Sequence, residues 1–287
     1  MRQIPGPRIL PSGSFLSQTG GHGDQRFRFE DYAPPSIPGL IARTEICDGP
    51  DEVRRAARKQ IRRGATQVKL MASGGVMSPN DPLESVQFTT QEMRAAVEEA
   101  RSFGKYVMAH THTSPAMNRA LDAGVRSLEH ASILDEATAQ RIRELDAFIV
   151  PTLVILEILA RSDRIPDFSH KKLDMVRHET SRSMEVAQAA GVGIGSGSDL
   201  LGPRQSRRAS EIAEKAKHMG AMGAIVSATR TNAALFCLSD RTGTVEQGKD
   251  ADMILVSGNP LDDIAVLVDA RNIPLVVKGG TVVKDAL

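Results

Sequence analysis

The chain has little of what builds cross-links or stacking platforms. Its two cysteines, Cys47 and Cys237, lie far apart with no CxxC partner, which argues against a disulfide scaffold or a cysteine zinc knot. It has no tryptophan and only two tyrosines, leaving few aromatic faces on which single-stranded nucleic acid could stack. The net charge is +1 and no basic stripe is visible, so a dedicated nucleic-acid partner is not expected. No apolar run approaches the length that spans a bilayer, and Met1-Arg2-Gln3-Ile4-Pro5-Gly6-Pro7 lacks the apolar centre of a secretion signal. A cytoplasmic address without membrane contact is the expectation. What remains, 41% hydrophobic and 25% charged, is the composition of an ordinary globular protein, and 287 residues suffice for one large α/β barrel or two smaller domains.

From residue 51 the chain alternates helix and strand patterns. Val53, Ala56, Ala57, Gln60 and Ile61 share one helical face, and that segment stops at Gly64. Strands are predicted at 66–71, 106–110, 126–130, 148–152 and 192–196, with Pro7 to Ser12 as a further candidate, six in all. Helices are predicted from a cap at Thr90 to Phe103, from Ser114 to Ala123, from Asp135 to Leu145, and over roughly 170–190. Such alternation implies βαβ units and a parallel sheet covered on both faces. From Gly243 the character changes: a strand at 250–256 and a hairpin at 275–283, turning on Gly279-Gly280, suggest part of a small β-domain. The expected organisation is a barrel over 1–242 and a β-sandwich remnant over 243–287. Residues 20–38 read as a long loop.

In successive units a residue able to bind metal sits at or just past the carboxyl end of a strand: Lys69, His110, His130 and Asp199. In a (β/α)8 barrel those ends form the catalytic face, where residues distant in sequence converge. Two imidazoles and a carboxylate suit zinc better than calcium or magnesium. A lysine fits such a set if burial lowers its pKa, because a neutral amine adds carbon dioxide to give an anionic carbamate. Each residue alone also has an ordinary reading: a strand-end lysine reaching solvent, two hydrogen-bonded structural histidines, and an aspartate capping a loop. Their repeated placement favours the metal site.

The segments Val68-Lys69-Leu70-Met71-Ala72-Ser73-Gly74-Gly75, Ala109-His110-Thr111-His112, Leu128-Glu129-His130 and Gly197-Ser198-Asp199 resemble the metal-site motifs of the amidohydrolase superfamily. The branch they resemble contains imidazolonepropionase-like enzymes and metal-dependent prolidases, and residues 243–252 are similar to the family's return into its small β-domain. The resemblance implies a (β/α)8 barrel and hydrolysis of an amide, peptide or ester in a small-molecule substrate by a metal-activated water. It makes Lys69 a carbamylated bridge, His110 and His130 ligands of one zinc, and Asp199 a ligand of a second metal and the proton shuttle. It also sets His22 and His112 facing the substrate. Arg204, Arg207 and Arg208, after the Asp199 loop, are candidates for gripping a substrate carboxylate.

The sequence departs from the family pattern in lacking the His-x-His pair of a first barrel strand. Its one such pair, His110-Thr111-His112, matches a later strand. The first two barrel strands and half of the small β-domain are therefore expected to be missing, and the open sheet edges this leaves favour pairing into a homo-oligomer. Two rivals follow from that gap: a non-catalytic or weakly active remnant serving as an oligomeric binding scaffold, and a mononuclear esterase using Lys69, His110, His130 and Asp199 alone.

Overall fold

The computed structural model describes residues 6–26, 29–30 and 44–287. It divides into two compact units, one ending at Leu128 and one running from Glu129 to Leu287.

The first unit carries parallel strands in the order β2-β1-β3-β4, where β1 is Leu16–Ser17, β2 Glu45–Ile46, β3 Val68–Met71 and β4 Val107–Thr113. Helix α1 (Gly49–Arg62) leads into β3, α2 (Thr90–Ser102) into β4, and α3 (Ser114–Ala123) follows β4. In α1, Val53, Ala56, Ala57, Gln60 and Ile61 are the buried residues, the face the sequence predicts. Its charges also suit the helix dipole, with Asp51 and Glu52 in the first turn and Lys59 and Arg62 in the last. In α2 the cap is Thr89, one residue before the expected Thr90. Only Thr89 stands three residues ahead of a glutamate, so its hydroxyl accepts from the Glu92 N–H while the Glu92 carboxylate accepts from the Thr89 N–H at 2.7 Å.

The first strand falls at Leu16–Ser17, not at Pro7–Ser12. Pro7 and Pro11 bring no amide hydrogens, and this stretch offers carbonyls: Pro11 O accepts from Thr66 N–H at 2.8 Å and Leu10 O from the Gln67 amide at 2.8 Å. The ladder is taken up by Leu16, in register with Glu45 on one side and Leu70 on the other. β2 is a seventh parallel strand beyond the six expected. It follows the predicted loop, of which residues 27–28 and 31–38 lie outside the described residues, as do 39–43 after it.

β5 (Ser127–Ile133) begins at the last two residues of the first unit and continues into the second, where the strand order is β5-β6-β7, with β6 at Phe148–Val150 and β7 at Gly193–Ile194. Between them lie α4 (Glu136–Glu144), α5 (Leu153–Ala160) and α6 (Asp167–Ala189), and α7 (Ser210–Val226) follows. β6 stops before Pro151, two residues short of the expected end, because α5 starts immediately after Thr152. After a π-helical turn over residues 227–231 comes α8 (Asn232–Leu235). The chain then forms a three-stranded antiparallel sheet, β10-β9-β8, from β8 (Met253–Leu255), β9 (Leu275–Lys278) and β10 (Thr281–Asp285). The expected hairpin is present: Gly279 and Gly280 turn it with φ of 54° and 77°, the left-handed pair that a two-residue hairpin loop requires. The parallel βα succession and the small antiparallel sheet agree with the expected fold class. No helix among the described residues is long and apolar enough to cross a membrane.

The capping box gives a direct check. Thr89→Ala removes the hydroxyl from the α2 cap and is expected to cost about 1 kcal/mol in denaturant unfolding with an unchanged slope.

Candidate metal-binding active site

Parallel pairing sets the chemistry of the first unit. β3 and β4 are in register with Lys69 beside Met108 and Met71 beside His110. Side chains alternate along a strand, so Lys69, Met71, Met108, His110 and His112 share one face of the sheet. β4 runs to Thr113, three residues past its predicted end, so His110 and His112 both lie within it and both are buried. Lys69 is half-buried. His110 Nε2 lies 3.1 Å from the Gly74 carbonyl, which can only accept, so this nitrogen carries the hydrogen and Nδ1 carries the lone pair of the neutral ring. His112 is fixed through its backbone, whose N–H donates to Ser73 Oγ at 3.0 Å, and its ring meets that of His110 edge-on at 4.8 Å.

His22 joins this pair from the loop after β1, its ring stacked on His110 at 4.2 Å with 21° between planes. Its backbone N–H donates to Gln87 Oε1 at 2.8 Å, and Nδ1 lies 2.7 Å from Ser78 Oγ and 3.6 Å from Asp81. Asp81 gathers the cluster, accepting from Ser78, from the Gly75 N–H at 3.1 Å and from the Gln87 amide at 3.1 Å. Burial opposes its charge, but the hydrogen bonds from His22, Ser78 and Gln87 outweigh burial and hold its carboxyl below the ordinary range. The His22 ring also rests on Gly75, where any added Cβ would collide with the ring atoms. Ser78, Asp81 and Gln87 were not singled out from the sequence. The signal available was the short polar run Ser78-Pro79-Asn80-Asp81 after a glycine turn, which does not reveal its distant partner.

The second unit holds His130 and Asp199. β5 continues three residues past its predicted end, and within it His130 and Ala131 adopt φ of 73° and 47°. Thr152, after β6, has φ of 52°, and Asp199, in the loop after β7, has 51°. Non-glycine residues in this left-handed region carry strain of about 1–3 kcal/mol each, and here they lie inside β5 and in the segments that follow β6 and β7. His130 Nδ1 lies 2.7 Å from Thr152 Oγ1, a hydroxyl able to take either role. The Asp199 loop is held upstream, where Asn232 accepts from the Ser196 N–H at 2.8 Å and donates to the Ser196 carbonyl at 2.9 Å. Asp199 itself is exposed, as are Arg204, Arg207 and Arg208.

The structure thus brings His22, His110 and His112 into ring contact, sets Lys69 on the face that carries His110 and His112, and joins His130 to Thr152. Among the described residues no three His, Cys, Asp or Glu side chains stand together as a metal-ligand group. The donor chemistry suits zinc: each of His110 and His130 is anchored through one ring nitrogen, as metal-bound histidines usually are.

Gly75→Ala is expected to push the His22 ring off Ser78 and lower stability by about 1–3 kcal/mol, read by denaturant unfolding and by the His22 ring resonances. Asp81→Asn tests the cluster's charge. A carboxyl depressed below its ordinary 3.8 contributes its full stability above that pH and loses it as pH falls through the lower folded value. The variant is therefore expected to be less stable than the parent at pH 7, with the gap closing in acid, measured by unfolding across that range.

Comparison with known proteins agrees with this architecture. Residues 1–283 match the amidohydrolase family. The chain is 35% identical to ochratoxinase from Aspergillus niger over 98% of its own length, and it spans 61% of that protein. Among solved structures it superposes on a prolidase complexed with N-methylphosphonate-L-proline, with a TM-score of 0.92 and 40% identity, covering 99% of this chain and 71% of that one. A Xaa-Pro dipeptidase with bound methionine in its active site gives a TM-score of 0.88 at 33% identity, over 99% of this chain and 70% of that one. On its sequence and its fold together, this chain belongs to the amidohydrolase family.

Proposed function

We propose that this chain carries the metal-binding centre of a zinc-dependent hydrolase that cuts amide bonds in small substrates of the dipeptide or N-acyl amino acid type. The observation that carries the reading is the anchoring of two strand histidines, His110 on the Gly74 carbonyl and His130 on the Thr152 hydroxyl, in a member of the amidohydrolase family. The substrate class is drawn from the relatives, which are named as an ochratoxinase, a prolidase and a Xaa-Pro dipeptidase.

In this reading His110 presents Nδ1 and His130 presents Nε2 to the ion. Lys69 is the third ligand, as a carbamate formed with carbon dioxide, and Asp199 stands by as a further carboxylate. Zinc, when bound, lowers the pKa of a water and polarises a carbonyl. The chain's own groups move the protons and orient the substrate. The Asp199 carboxylate, exposed in the loop after β7, accepts a proton from the attacking water and returns it to the departing nitrogen. His22, whose Nδ1–H is held by Ser78 and Asp81, keeps its lone pair at Nε2 and orients its ring toward the substrate. His112, fixed through its backbone, faces the substrate.

Elemental analysis after dialysis against zinc tests this. The chain is expected to hold close to one zinc, the His130→Ala variant essentially none, and Lys69→Ala much less, partly restored by a short carboxylic acid that substitutes for the carbamate. Full zinc content in both variants would remove these residues from the ligand set.

A further inference from the structure

The amino terminus of α5 divides its capping in an unusual way. An N-cap threonine ordinarily turns its hydroxyl onto a backbone N–H two or three residues on. Thr152 makes no such bond, and its hydroxyl is engaged with His130 instead. The first two amides of the helix are taken by Glu211 of α7, whose carboxylate accepts from Leu153 N–H at 3.1 Å and Val154 N–H at 2.8 Å. Glu211 is only 1% exposed. A carboxylate there meets unpaired N–H groups at the positive end of the helix dipole, which makes a buried charge tolerable. One turn along α7 the fully buried Lys215 brings the compensating charge, donating to the Gly195 carbonyl and, at 3.2 Å, to Ser227 Oγ. Burial pushes the Glu211 carboxyl up, opposed by Lys215, and pushes the Lys215 ammonium down, opposed by Glu211 and Glu129.

Thr152 stands in a left-handed conformation, φ 52° and ψ 53°, away from the extended backbone that would bring its hydroxyl onto the helix amides, so two buried charges, costly even when paired, hold this turn instead. The arrangement has a use if the threonine hydroxyl is required elsewhere. We propose that Glu211 is a positioning residue for His130: by fixing the first two amides of α5 it keeps Thr152 in the left-handed conformation that presents its hydroxyl to His130, where the hydroxyl accepts from Nδ1–H and Nε2 carries the lone pair. The effect on zinc rests on the reading of His130 as a ligand, whereas the effect on the imidazole tautomer does not.

The test uses the full chain, metal-free and labelled with ¹⁵N in its histidine rings, with the His130 signals identified by their loss in His130→Asn. The parent should show His130 protonated at Nδ1. Glu211→Gln offers one acceptor oxygen for two amides, so Thr152 should relax out of its left-handed conformation and its hydroxyl should leave His130. The His130 signals should then shift toward a mixture of tautomers, and the zinc Kd should rise about 10- to 100-fold. Thr152→Val should do the same with Glu211 intact, while Thr152→Ser should keep the parent pattern. A Glu211→Gln chain that folds with a lower Tm but keeps both the His130 tautomer and the zinc affinity would overturn the proposal, leaving Glu211 a structural cap only. If Glu211→Gln does not fold, an unchanged His130 tautomer in Thr152→Val overturns it equally, and a shifted one supports it. Unchanged zinc affinity in His130→Asn would instead remove His130 from the ligand set without touching the tautomer result, so the two readings fail separately.

Discussion

A buried imidazole has to deliver its N–H to an acceptor, and leaving that hydrogen unpaired costs about 1–3 kcal/mol. Much of the irregular structure at the strand ends follows from meeting that requirement. For His110 the acceptor is the Gly74 carbonyl, and aiming it requires the excursion between Ser73 and Gln87. That excursion is closed by Gly74 N–H to Ser85 O at 3.1 Å and Gln87 N–H to Ala72 O at 2.9 Å, and it is tight enough that a Cβ on Gly74 would run into the Pro82 carbonyl. For His130 the partner is Thr152, which stands in a left-handed conformation at the start of α5.

The strained backbone is tolerated because hydrogen bonds over-determine it. Thr152 is followed by two amides fixed on Glu211, and Gly195, at the end of β7, has its N–H on Ile149 O at 2.8 Å and its carbonyl on Lys215. The two side chains of α7 thus hold the segments after both β6 and β7. The polar core of the second unit is best understood as support for those strand ends, since an apolar core would have been cheaper to bury.

Elements were legible in the sequence where two independent signals coincided. In α1 an apolar face at helical spacing agrees with the dipole charges, and in the β9–β10 hairpin the β-branched pairs Val276-Val277 and Val282-Val283 flank the Gly279-Gly280 turn. Single signals misled. An apolar run between prolines predicted a strand at Pro7–Ser12, although prolines cannot supply the ladder's donors. α5, with the sequence Leu153-Val154-Ile155-Leu156-Glu157-Ile158-Leu159-Ala160, is apolar nearly all round, so no period marked it. α7 carries Gly220, at φ 71°, and Gly223, which obscure its pattern. Strand-end placement located Lys69, His110, His130 and Asp199 as candidates, because β-strands fix their own spacing. The groups that orient them, Asp81, Thr152, Glu211 and Lys215, are ordinary polar residues whose partners lie far along the chain, and only folding reveals the pairing.

The central claim is that two histidines on different strands are pre-set in opposite tautomers, His110 with its hydrogen on Nε2 and His130 with its hydrogen on Nδ1, before any ion arrives. Long-range ¹H–¹⁵N spectra of the metal-free native chain, with both rings assigned, measure this directly. The account predicts one ring of each tautomer, each in a single state. Two rings sharing a tautomer, or both averaging between states as in free imidazole, would contradict it.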